Sequence, residues 1–237
     1  MKAVLFDLDG TLLPMDQEEF TKGYFKLLSK KLSPHGYEPK ELIDAIWAGT
    51  VAMVKNNGSQ SNEVVFWAKF SEIYGKEKTL KDKSLFDDFY AENFEEAKAF
   101  CGFHAKAAET VKKAKQLGYK VALATNPIFP KTATESRIRW AGLSPEDFEF
   151  FTTYENTCYC KPNLEYYRDI AERLGVQPEE CLMVGNDVTE DMIAETVGMK
   201  VFLLTNCLIN KERCDISVYP RGNFKQLLKL MKEDVAV

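Results

Sequence analysis

Two carboxylates one residue apart, Asp7 and Asp9, stand directly after the apolar run Ala3-Val-Leu-Phe6 and are followed by Gly10 and Thr11. A continuous apolar run bounded by a turn signal suits a strand covered on both faces, and open α/β sheets bind ligands just beyond the carboxyl ends of such strands. Asp-x-Asp-Gly is equally an ordinary turn, because Asp and Gly are turn formers, so the pair alone leaves site and turn open. Later parts of the chain supply complementary groups. Thr125 closes the run Val121-Ala-Leu-Ala, Lys161 precedes Pro162 in a loop, and Asp187 and Asp191 follow the run Cys181 to Val184. A lone lysine is usually solvated, and Asp191 also suits the first turn of a helix, where the dipole favours an acid. The Lys-Pro pair favours a role for Lys161.

The elements that must position these groups fall into two kinds. From Pro14 to about Phe100 the spacing is helical, with no strand. Phe20, Tyr24, Leu27 and Leu28 mark one helix, Pro39 opens a second at its favoured first-turn position, Ser61 or Asn62 caps a third, and Leu80 to Ala97 predicts a fourth. The second helix is apolar nearly all round and must be buried. Its stripe Ile46, Trp47, Val51 and Val54 reads as core of the helical bundle rather than as a ligand pocket, with a dimer surface as a further alternative. Asn56-Asn57-Gly58-Ser59, beside Lys55, is an interhelical turn that could also reach a ligand.

After Phe100 helix and strand alternate, the pattern of a parallel sheet with covering helices. Strands are predicted at Lys120–Thr125, Phe148–Thr153, Cys181–Val184 and Lys200–Leu204, with a C-terminal helix from about Asn223 to Met231. The expected fold is α/β: a Rossmann-like parallel sheet formed by residues 1–14 and 101–237, interrupted by an all-α block at 15–100.

Composition excludes several classes. Net charge is -5 at pH 7, against general electrostatic binding of nucleic acid. No apolar run approaches the ~18 residues needed to span a bilayer, and the short N-terminal run meets Asp7 without a secretory pattern. A soluble cytoplasmic protein, monomer or homodimer, with no membrane or nucleic-acid partner is the expectation. The cysteines, including Cys158 and Cys160, lack framework spacing and a second ligand cluster, and read as reduced structural thiols.

Asp7 to Thr11, Thr125, Lys161 and the pair Asp187 and Asp191 occur in an order and context that resembles the haloacid dehalogenase-like hydrolases over the whole chain. The resemblance implies a phosphohydrolase acting on a small phosphorylated metabolite. Asp7 would be the nucleophile that forms an aspartyl-phosphate, and Asp9 the acid for the leaving alcohol and then the base for water. Thr125 and Asn126 would meet the phosphoryl group with Lys161. Mg²⁺ would be held by Asp7, Asp187 and the Asp9 backbone carbonyl, with Asp191 supporting its waters or holding Lys161. Cations are needed because a carboxylate approaching a phosphate dianion pays about 4 kcal/mol per charge pair at ~4 Å and an effective dielectric of 20. N–H groups of a helix starting between Asn126 and Thr132 could assist.

An acid at position 9 points to phosphoryl transfer rather than dehalogenation, since a halide needs no proton. The helical insertion resembles the family's cap of the first type, as in phosphoglycolate phosphatases. A phosphomutase of the β-phosphoglucomutase type and a non-catalytic phosphate-binding module on the same fold are the alternatives. A sugar-bisphosphate requirement would reveal the first, and Mg²⁺-dependent release of phosphate would exclude the second.

Overall fold

A computed structural model describes residues 1–235 of the chain. Five parallel strands form one sheet: β1 (Ala3–Phe6), β2 (Lys120–Leu123), β3 (Cys181–Gly185), β4 (Lys200–Leu204) and β5 (Arg221–Gly222), in the order β2-β1-β3-β4-β5. All four residues of β1 are buried, as expected for a central strand with helices on both faces. Its side chains alternate: Val4 and Phe6 join the core cluster continuous with the inserted helices, while Ala3 and Leu5 pack on the other face with Tyr166, Tyr167 and Ile170. Phe6 is in register with both Leu123 and Val184, so three strands end at one level. The Asp7 N–H bonding to the Val184 carbonyl (2.9 Å) and the Ala124 N–H to that of Phe6 (2.7 Å) carry this alignment into the loops.

Between β1 and the rest of the sheet lie α1 (Gln17–Leu32), α2 (Pro39–Val54), α3 (Asn62–Tyr74) and α4 (Lys76–Asp88). The first three start on a side-chain cap, whereas α4 follows Gly75 directly. Asp16 and Glu38 side chains accept N–H groups of the first turns of α1 and α2, and the Ser61 hydroxyl accepts the Val64 N–H. Aromatic rings fill the interior of the block: Phe70 meets Phe66, Trp67, Tyr74 and Phe86 at centroid distances of 4.9–6.0 Å, the separation at which edge and offset contacts are favourable. The two chain crossings to the sheet run side by side: Met15 pairs with Cys101, and the Gly102 N–H donates to the Pro14 carbonyl at 2.7 Å. A second tie is Asn62, wholly buried, whose Nδ2 lies 3.3 Å from the Pro127 carbonyl, 3.4 Å from that of Tyr159 and 3.3 Å from Cys160 Sγ.

Beyond the block, α5 (Ala105–Gln116), α6 (Lys131–Trp140), α7 (Leu164–Leu174) and α8 (Phe224–Val235) cover the sheet. Three elements differ from expectation. Phe148–Thr153 is not a strand: Phe151 alone bridges Leu123, although three backbone bonds tie the segment to β2. It lies at the sheet margin, where regular pairing lapses without changing the side-chain pattern. The fourth inserted helix is shorter than predicted, because α4 gives way to a π-helical turn at Phe89–Asn93 and a 3₁₀ turn at Phe94–Phe100. The stripe on α2 is only partly core: Leu42, Ala45, Ile46, Gly49 and Met53 face inward, whereas Trp47, Val51 and Val54 are 47%, 48% and 42% exposed. An all-round apolar helix was expected to be buried all round; here one face borders a cleft instead.

Candidate active site

The aligned ends of β1, β2 and β3 deliver Asp7, Thr125 and Asp187 to one cleft, which Asp9, Asn126 and Asp191 also border. Gly10 turns the chain after Asp9 with φ +84°, a value that penalises side chains, and a Cβ there would lie 2.4 Å from Asn186 Nδ2. The resulting close approach brings the Thr11 hydroxyl within 2.8 Å of Asp7 Oδ2 and 2.9 Å of Asn186 Oδ1. Gly185 is required for a similar reason: a Cβ would sit 2.0 Å from Asp191 Oδ2, which accepts the Asp187 N–H at 3.0 Å.

Lys161 reaches the site from the loop before α7. Its ammonium donates to Asp7 Oδ1 at 2.9 Å and Asp191 Oδ1 at 2.6 Å, and the side chain is 1% exposed. Burial alone would favour neutral lysine, but Asp191 and Asp7 outweigh it and hold the group protonated, its pKa well above the ordinary lysine value. Burial likewise pushes the Asp191 carboxyl upward, against the pull of Lys161. The ammonium has three donors, so one remains for a further acceptor.

Asp9 is held differently. Its Oδ2 accepts from Arg137 Nη1, while Oδ1 is buried without a hydrogen-bond partner among the described residues. Burial raises its pKa, Arg137 opposes the rise and Asp7 adds to it. Arg137 is fully buried on α6; it also donates to Thr134 Oγ1 (3.2 Å) and the Ala133 carbonyl (3.3 Å), and stacks over Phe129 with its guanidinium 4.4 Å from the ring centroid. Sequence reasoning missed this residue, although it falls on the buried stripe of its helix with Ala133 and Trp140. Glu190 was missed as well. It borders the cleft and accepts from Asn126 Nδ2 at 3.0 Å, and burial pushes its carboxyl up to about 6.

Other expected contributors have structural duties here. Asn126 is engaged at both ends, since its Oδ1 lies 3.3 Å from the Lys161 N–H. Helix α6 begins at Lys131, whose N–H donates to the Glu155 carboxylate at 2.9 Å, so that helix start is already capped. Asn56 is buried and bonded to Gln60 and Asn62, forming the interhelical turn, whereas Lys55 borders the cleft. All six cysteines are free.

The donor set suits a hard divalent cation such as Mg²⁺, which takes one or two carboxylates plus carbonyl and water oxygens rather than a cage of protein acids. Asp7 and Asp187 border the cleft, and no backbone hydrogen bond among the described residues ends on the Asp9 carbonyl, leaving that oxygen available. Among the described residues no three His, Cys, Asp or Glu side chains are arranged so that they alone could hold a metal ion, so backbone and water oxygens would complete the shell.

A parallel sheet carrying two acids after its central strand, with a buried lysine and a second acid pair facing them, defines a hydrolase-type α/β site. The family model for haloacid dehalogenase-like hydrolases matches residues 1–194, and the chain belongs to that family. It is 28% identical over 207 residues to "Putative phosphatase YhcW" of Bacillus subtilis (strain 168), covering 87% of this chain and 84% of that protein. To the glyceraldehyde 3-phosphate phosphatase of Methanothermobacter thermautotrophicus it is 27% identical over 222 residues, covering 90% and 89%. Among solved structures, the HAD phosphatase of Thermococcus onnurineus superposes with TM-score 0.58 at 21% identity over 98% of both chains. A magnesium-bound structure of YfnB from Bacillus subtilis superposes with TM-score 0.53 at 16% identity, over 97% of this chain and 98% of that one. These likenesses are of fold.

Proposed function

We propose that the chain is a Mg²⁺-dependent phosphohydrolase that removes phosphate from a small phosphorylated metabolite through an aspartyl-phosphate on Asp7. The observation that carries this reading is the unequal environment of the two acids. Asp7 is held by Lys161 and Thr11 at the strand end, whereas Asp9 is raised by burial and keeps one buried oxygen unpartnered. An Asp7 carboxylate oxygen attacks phosphorus as the bond to the leaving oxygen breaks, and the Asp9 carboxyl gives its proton to that oxygen. Asp9, now ionised, takes a proton from water as the water oxygen attacks phosphorus; the bond to Asp7 breaks and inorganic phosphate leaves.

Lys161 offsets the charge of the approaching phosphoryl group, worth about 4 kcal/mol or roughly a thousandfold in rate. Mg²⁺ held by Asp7, Asp187 and the Asp9 carbonyl would supply further charge neutralisation. Residues 15–100 act as a cap that closes over the cleft and excludes water. Phosphate release from a panel of phosphorylated metabolites tests the assignment. Release should require Mg²⁺, stop with EDTA, resume on Mg²⁺ addition and fall at least a thousandfold in Asp7→Asn. Undiminished release in Asp7→Asn would overturn it.

A further inference from the structure

We propose that the cleft selects phosphomonoesters of a bulky apolar or aromatic alcohol that carries no second anionic group. This rests on the phosphohydrolase reading and extends it to the leaving group.

The cleft that contains Asp7 and Asp9 has a volume of ≈ 1390 Å³, above the several hundred Å³ that ordinarily enclose a drug-sized ligand. A two-carbon alcohol would leave most of it to water. Its walls beyond the catalytic end are apolar. The outward face of α2 contributes Trp47, Val51 and Val54, and Phe100 and Leu208 add 38% and 36% exposed surface to the same cleft. These large apolar side chains stay half-exposed although Leu42, Ala45, Ile46, Gly49 and Met53 of the same helix are buried, so the cleft bears the cost of their hydration until something covers them. Trp47 packs edge-on against Phe25 at a centroid distance of 5.7 Å while its other surface borders the cleft.

Charge points the same way. Outside the catalytic set, the charged side chains of the cap that border the cleft are Asp16, Glu18 and Lys55, and the 206–211 loop adds Lys211. With Glu190, which also borders the cleft, three carboxylates face two lysines. A leaving group bearing a carboxylate or second phosphate would therefore enter a wall with no net positive charge and no arginine fork to match it. The two buried cations beside the acids are already engaged, Lys161 with Asp7 and Asp191 and Arg137 with Asp9.

The test uses esters of primary alcohols, so that the leaving oxygens have similar reactivity. With saturating Mg²⁺, kcat/KM for 4-phenylbutyl phosphate should exceed that for ethyl phosphate and for 2-phosphoglycolate by at least about tenfold, the discrimination an apolar pocket provides for added hydrocarbon. Equal or higher values for 2-phosphoglycolate or ethyl phosphate overturn the proposal. Trp47→Ala should lower the ratio of phenylbutyl to ethyl ester about tenfold. Val51→Lys, at an exposed position that tolerates a long side chain, should raise the ratio of 2-phosphoglycolate to phenylbutyl ester by a similar factor; unmoved ratios in both variants overturn the proposal. Calorimetric titration of Asp7→Asn with the same three esters reads binding without turnover. If no ester releases phosphate, the catalytic reading fails by itself, and the order of affinities still supports or overturns the apolar wall.

Discussion

Replacing Arg137 by Met tests how Asp9 is held. The guanidinium is fully buried, donates to Asp9 Oδ2, Thr134 and Ala133, and covers Phe129. Methionine keeps the hydrocarbon stem and removes the charge. Asp9, whose side chain is 19% exposed, would then be a part-buried carboxylate with neither oxygen paired among the described residues, which sets the cost at the low end of the range of about 3–5 kcal/mol for breaking a buried pair from one side. Protonation limits the loss. Burial and Asp7 already raise the Asp9 pKa against Arg137, and without Arg137 it rises further, so the cost is full only where Asp9 is ionised. Arg137→Met should lose about 3 kcal/mol at pH 8, or about 6–12 °C in Tm for a chain of this length, and clearly less at pH 5. Asp9→Asn added to Arg137→Met should recover at least half. Thermal and urea unfolding of metal-free protein at both pH values, over the complete double-mutant cycle, gives the coupling directly. Equal losses at pH 5 and pH 8 with additive single effects would refute the argument and reduce Arg137 to packing.

Lys161→Met should slow phosphate release roughly a thousandfold, and Lys161→Arg should not restore it, because the larger head does not fit a position that is 1% exposed between Asp7 and Asp191; steady-state assay decides both. Asn62→Ala removes the buried amide tying α3 to the Pro127, Tyr159 and Cys160 positions. It should cost about 1–3 kcal/mol and speed amide exchange at Glu63 and Val64, while the exchange of β1 amides stays slow. In metal-free protein Glu190 has a folded value of about 6 against the ordinary 4.5, raised first by burial. The folded state therefore binds more protons between those values, and stability from this group, complete below pH 4.5, is lost as pH rises through 6. Glu190→Gln should abolish a fall of about 1–2 kcal/mol across that window, measured by urea unfolding.

The gathering of acids at the strand ends was legible because it depends on local strings. Asp7-Leu-Asp-Gly-Thr11 shows both the strand end and the turn, and the apolar runs before Thr125 and Asp187 place those residues at the same sheet level without any knowledge of pairing. Lys161 was visible only as a residue before proline; that it lies between Asp7 and Asp191 follows from the path of a loop, which has no periodicity to read. Arg137 was hidden because a basic residue in a helix is ordinarily solvated, and its partner is 128 residues away. β5 has two residues, too few for a pattern. The α2 face was misjudged for a different reason: hydrophobicity reports that a surface avoids water, and cannot distinguish a face covered by protein from one left for a ligand.

The proposed mechanism turns on a covalent phosphate carried by Asp7. Protein mixed with excess substrate and Mg²⁺, quenched in milliseconds and reduced with borohydride, would convert an acyl phosphate to an alcohol, changing residue 7 into homoserine. Mass spectrometry of the peptide spanning Asp7 should find that product in the wild type during turnover, and not without substrate. Full turnover with an unmodified Asp7 peptide, or with the label on another carboxylate, would contradict the account.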